Sequence, residues 1–73
     1  MTHADLIHWR SRLKLTQQQA ADELGCGRRS IQNWEQEGAK VPRYIALACA
    51  ALAQGLRPWG EATQGGPQRA TED

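Results

Sequence analysis

Thr16-Gln17-Gln18-Gln19-Ala20-Ala21-Asp22-Glu23-Leu24-Gly25-Cys26-Gly27-Arg28-Arg29-Ser30-Ile31-Gln32-Asn33-Trp34-Glu35 holds the fold in its spacing. Thr16 with Gln19 three residues on is a capping box, so a helix starts there. Ala20, Ala21 and Leu24 make its apolar face. Gly25-Cys26-Gly27 is a tight turn, with Gly25 in the left-handed conformation that ends a helix. Gly27 is an acceptable N-cap for a next helix running from Arg28 to about Gln36. Ile31 and Trp34 face inward there, while Arg28, Arg29, Gln32 and Asn33 face away. Two helices joined by a three-residue turn containing Gly are a helix-turn-helix. Its mechanics explain the residue types. Ala21 is small because the second helix of the unit crosses close by, and Leu24, Ile31 and Trp34 are apolar to hold the crossing.

Outward from that unit the pattern stays helical. Thr2 with Asp5 is another capping box, followed by Leu6, Trp9 and Leu13 as one apolar stripe with Arg10 at its edge. Lys14-Leu15 is a short connection. After a loop of Glu37, Gly38, Ala39 and Lys40, Pro42 is a plausible first residue of a last helix. Ile45, Ala48, Cys49 and Leu52 form its apolar face. It runs to about Gln54 and Gly55 stops it. Arg57-Pro58-Trp59-Gly60 is irregular. The polar end with Gly65-Gly66-Pro67 reads as a disordered tail. The expected division is a helical domain over 1–58 and a flexible tail over 59–73.

Composition agrees with an all-α domain. Seventy-three residues support one small domain. Val occurs once and Phe not at all, while Ala, Leu, Gln and Arg are frequent. The longest apolar run, residues 44–53, is about half of a membrane span, so no membrane partner is expected. The opening Met1-Thr2-His3-Ala4-Asp5 has neither a basic flank nor an apolar core of an export signal, so a cytoplasmic location is expected. Residues 1–58 carry eight Lys/Arg against five Asp/Glu, a net of +3; residues 59–73 carry Arg69 against Glu61, Glu72 and Asp73, a net of −2. A mildly basic domain with an acidic end fits an anion-binding surface.

Chemistry-bearing patterns are otherwise sparse. Cys26 and Cys49 sit among apolar neighbours and read as reduced, buried thiols. With His3 and His8 they lack metal-ligand spacing, so no metal is expected. His3, His8, Ser11 and Ser30 make no nucleophile–base pattern and no phosphate loop exists, so the chain does not read as an enzyme. No cofactor and no small-molecule ligand are expected.

The pattern Thr16-Gln17-x-x-x-Ala21…Leu24-Gly25…Ile31-x-x-Trp34-Glu35 resembles the Cro/CI-type (XRE) helix-turn-helix of phage repressors and bacterial regulators. Arg10 upstream and Pro42-Arg43-Tyr44 downstream match it, and the resemblance covers residues 4–53. It implies a lambda-repressor-like bundle of four to five short helices that binds operator DNA in the major groove, usually as a two-fold dimer. In size it is similar to stand-alone Cro-like proteins, antitoxin regulators and anti-CRISPR-associated regulators, which commonly repress their own operons. The resemblance implies base contacts from the outward face of the third helix. Its residues can make them: Arg pairs with guanine, and Asn or Gln with adenine. Arg28, Arg29 and Asn33 are the expected base readers, with Gln32 nearer the sugar-phosphate. Gln17 at a helix start is the expected anchor to the DNA backbone. Lys40 and Arg43 are expected phosphate contacts. The resemblance further implies a partly buried Arg10–Glu35 ion pair between the first and third helices.

Two features leave room for other readings. Gly55 and Pro58 break the chain where many family members continue into a fifth helix, so the dimer surface is open. Trp59 is expected to fold back over the core; the alternative is an apolar anchor for a partner subunit, with Ile7 and Leu47 adding to the patch. An antitoxin-like protein-interaction module is the second functional expectation and RNA binding the third, although no aromatic stacking platform is evident.

Overall fold

Capping boxes set the start of the first two helices. In the computed structural model, which describes residues 1–60, the first helix α1 spans His3–Arg12 and the second, α2, spans Gln17–Leu24. The hydroxyl of Thr2 accepts the Asp5 N–H at 3.1 Å while the Asp5 carboxylate accepts the Thr2 N–H at 2.9 Å. Thr16 and Gln19 repeat the exchange at 3.1 and 2.9 Å. Each box satisfies two backbone groups that a helix start leaves without partners. The third helix α3 spans Arg28–Trp34 and the fourth, α4, spans Arg43–Ala53. Among the described residues these four helices and one isolated antiparallel bridge between Thr2 and Lys40 are the regular structure, and no strand forms. The fold class is all-α.

Helix ends explain the turns. Leu15 N–H bonds back to the Arg10 carbonyl at 3.0 Å and Lys14 N–H to Ser11 at 3.1 Å. This places Lys14 in the left-handed region at φ 58°, which glycine usually occupies. Gly25 takes that role after α2 at φ 76°, and Cys26 N–H returns to the Ala21 carbonyl at 3.0 Å. A Cβ built on Gly25 would meet no neighbour within 4 Å, so a side chain there strains only the backbone. Gly25→Ala is therefore expected to cost about 1–2 kcal/mol, and Gly25→Asn less, in urea unfolding monitored by circular dichroism.

Two boundaries differ from the sequence expectation. α3 ends at Trp34 rather than near Gln36: Glu35 N–H still bonds the Ile31 carbonyl at 3.0 Å, but Gln36 N–H reaches only as far back as the Asn33 carbonyl at 3.3 Å, which tightens the last turn. Pro42 is the N-cap of α4, not its first helical residue. Its extended ψ of 148° turns the chain into the helix, and its carbonyl accepts the first bonds from Ile45 and Ala46.

The core joins all four helices. Leu6 and Trp9 of α1, Ala20 and Ala21 of α2, Ile31 of α3, and Ile45 and Cys49 of α4 are buried together. Leu13, Leu24, Trp34 and Leu52 pack on this cluster partly exposed. The two alanines leave no side-chain bulk between α2 and α3, as their close crossing needs. Trp9 does more than fill space. Its indole N–H donates to the Cys49 carbonyl at 2.9 Å, tying α1 to α4 across 40 residues of chain.

Val41 is also core, at 7% exposure, although its loop position has no periodicity to reveal it. The N-terminus holds that loop. Val41 N–H reaches the Met1 carbonyl at 3.4 Å and Gly38 N–H donates to His3 Nδ1 at 3.3 Å. Trp59 does not fold back. It is 100% exposed and Leu56 is 57% exposed, because the left-handed Gly55 and the rigid Pro58 carry the chain off the end of α4. Ile7 and Leu47 are exposed as expected. The expected tail beyond Gly60 lies outside the described residues. No helix among the described residues is long and apolar enough to cross a membrane.

Candidate nucleic-acid interface

The site is built on a bracket around Glu35. This residue caps α3 at its C-terminal end and its side chain is only 8% exposed. Its carboxylate accepts from Arg10 Nε at 2.6 Å and Arg10 Nη2 at 3.0 Å, a two-pronged ion pair. It also accepts from Gln17 Nε2 at 3.1 Å. Arg10 Nη1 donates in turn to the Leu15 carbonyl at 3.1 Å. One carboxylate thus joins α1, the start of α2 and the end of α3. Burial pushes the Glu35 carboxyl upward, but the bonds from Arg10 and Gln17, with the Arg10 charge, outweigh it and hold the group below its ordinary range.

This bracket orients the exposed side of α3. Arg28, Arg29 and Asn33 are solvent-exposed, whereas Gln32 is half-buried instead of facing fully away. At about 100° per residue, Arg29 and Asn33 stack one turn apart, and Arg28 and Gln32 form the adjacent row. Ile31 lies on the opposite side in the core. The face presents two guanidiniums and two carboxamides and carries no acidic side chain.

Beside it runs a shallow cleft of about 500 Å³ lined by Arg10, Thr16, Gln17, Gln18 and Arg28. The cleft lies at the N-terminus of α2, where backbone N–H groups and the helix dipole favour an anion. Arg28 adds charge from the neighbouring helix. Thr16 and Gln18 were not among the sequence candidates; their place in the first turn of α2 is the signal that marks them. Gln17 is there, but its amide nitrogen points to Glu35, so its side chain serves the bracket. What it offers an anion is the helix start it occupies.

Lys40, in the loop before α4, and Arg43, the first residue of α4, are both exposed. The bridge from Lys40 to Thr2 fixes the backbone of Lys40, so the root of its side chain is anchored even though the ammonium is free to swing. The thiols offer no reactive group. Cys49 is pushed up to about 11, first by burial and then by the neighbouring Cys26, and the Cys26 thiol is itself raised by burial. Among the described residues no cluster of three or more His, Cys, Asp or Glu side chains is arranged to hold a metal ion. Comparison with known family models, characterised proteins and solved structures gives no significant match to this chain.

Proposed function

We propose that the chain is a sequence-specific DNA-binding regulator of the lambda-repressor-like helix-turn-helix type. The observation that carries this reading is the outward face of α3: Arg28, Arg29 and Asn33 exposed on a short helix whose far end is locked by Glu35. In this reading α3 lies in the major groove. Arg28 and Arg29 pair with guanine edges, Asn33 pairs with adenine, and Gln32 lies toward the sugar-phosphate. The cleft at the start of α2 takes one phosphate, and Lys40 and Arg43 take others, which sets register without reading sequence. Two copies bind an inverted repeat and repress the promoter by occupying it, in the cytoplasm where the DNA is. The operon that encodes the chain is the natural place for that repeat.

Selection of bound duplexes from a random pool at near-physiological salt tests this directly. An enriched inverted repeat with half-site centres about one helical turn apart supports a two-fold reader. Binding without enrichment that vanishes as salt rises means phosphate attraction alone and overturns the reading. Lys40→Ala is expected to weaken all sequences alike. Its plot of log affinity against log salt flattens by about one per subunit, as loss of one phosphate contact requires.

A second reading, a module that masks a protein partner, draws on the exposed Leu56 and Trp59. It leaves the acid-free face of α3 without a role, which is why DNA binding is preferred.

A further inference from the structure

A groove of about 300 Å³ runs between α1 and the end of α4. Asp5, His8, Trp9, Arg12, Leu13 and Ala53 line it, so no residue of α2 or α3 contributes. It is therefore separate from the face assigned to DNA. Trp9, Leu13 and Ala53 supply its apolar lining, and Asp5, His8 and Arg12 its polar one. Six residues beyond Ala53, Trp59 stands fully exposed. A chain with one tryptophan side chain fully in water and an open groove lined in part by apolar side chains carries both halves of one contact.

We propose that Trp59 of one copy docks into the α1–α4 groove of a second copy, and that the reciprocal contact closes a two-fold dimer. The inference deepens the dimeric part of the reading above by naming its contact. Chemistry matches at each point. The indole body suits Trp9, Leu13 and Ala53. The Asp5 carboxylate can accept the indole N–H, and the Arg12 guanidinium can lie on its face. Trp59 does not line the groove of its own chain: beyond the left-handed Gly55 it stands fully exposed. In the two-fold arrangement each copy's indole fills the other's groove, so no open end is left for further growth.

The area decides the strength. Each indole brings about 150–250 Å². With Leu56 and the groove walls that both copies cover, the total is about 1,000 Å², at the lower limit of a specific interface. The free protein is then a weak dimer that two adjacent DNA half-sites complete.

Sedimentation equilibrium on the full chain without DNA, from about 1 µM to about 1 mM, tests the contact across the range expected of a weak interface. The wild type is expected to pass from monomer to dimer in that range. Trp59→Ala, which removes the indole, and Ala53→Arg, which fills the groove, are each expected to weaken dimerisation at least about tenfold. The double variant should be little worse than either single one, since both remove the same contact. Circular dichroism spectra should match wild type, because both positions are exposed in the single chain. A wild type that remains monomeric throughout overturns the proposal. So does dimerisation that either variant leaves unchanged, since an indole seated elsewhere is not in this groove. Monomers that still enrich one half-site from the DNA pool overturn the pairing while leaving the DNA reading in place.

Discussion

Glu35→Ala is expected to destabilise the fold by about 3–5 kcal/mol, the effect of leaving a mostly buried charge without its partner. Arg10 would lose both prongs of its pair, Gln17 its acceptor, and the three helices that meet at this carboxylate their common tie. A domain this size has a stability of only about 3–9 kcal/mol, so the variant is expected to be largely unfolded near its lower end. Thermal or urea unfolding by circular dichroism checks it. A loss below about 1 kcal/mol would show that the pair behaves as an ordinary surface ion pair. Glu35→Gln keeps the shape and an acceptor and should cost less. It also isolates the pH dependence. The Glu35 carboxyl is held below its ordinary value of 4.5 in the folded chain, so the unfolded chain takes up its proton first on acidification. The stability it supplies is complete above that ordinary value and is lost as pH falls through the lower folded value. Asp5 is lowered too, by its bonds to the backbone and hydroxyl of Thr2, and titrates in the same direction. Wild-type melting temperature is therefore expected to be flat from neutral pH to about 5 and then to fall; Glu35→Gln should fall less steeply over that acidic window.

The second large effect is on binding. On the proposed reading, Arg28→Ala combined with Arg29→Ala is expected to reduce affinity for the selected operator by at least about 30-fold, taking about 1–3 kcal/mol for each arginine that the proposal sets against a base. The two are neighbours, so the sum need not be additive. The informative result is a contrast. Affinity for a scrambled duplex should fall much less than affinity for the operator, and selection repeated with the variant should lose preference at the positions the arginines read. Both side chains are exposed and make no intramolecular hydrogen bond that the fold uses, so unfolding should shift by no more than about 0.5 kcal/mol. Equal losses on both duplexes would reassign Arg28 and Arg29 to phosphates. No loss would move the interface away from α3.

The two effects separate bracket from reader. Glu35 acts through geometry: it makes no outward contact, yet it fixes the end of the helix that carries Arg28, Arg29 and Asn33. Damage to it should appear first as unfolding, and the binding that survives should keep its sequence preference. Damage to the arginines should appear as lost preference in a folded chain.

Much of this was legible in the chain itself, for a physical reason. Capping boxes, left-handed glycine turns and apolar stripes all act between residues three to five apart, so Thr2 with Asp5, Thr16 with Gln19, Gly25, and the inward positions Leu6, Trp9, Ala20, Ala21 and Ile31 can be read in order. The exposed donors of α3 follow from the same periodicity, since a helix with Ile31 inside must turn Arg29 and Asn33 out. Long-range contacts have no such local signature. Only tertiary structure decided that the N-terminus clamps the loop before α4 and buries Val41, that the Trp9 indole bonds the Cys49 carbonyl, that the Gln17 amide turns inward to Glu35, and that Trp59 stays in solvent. Each depends on which surfaces meet once four helices pack. For Trp59, the backbone of Gly55 and Pro58 prevailed over the pull of its apolar ring toward the core.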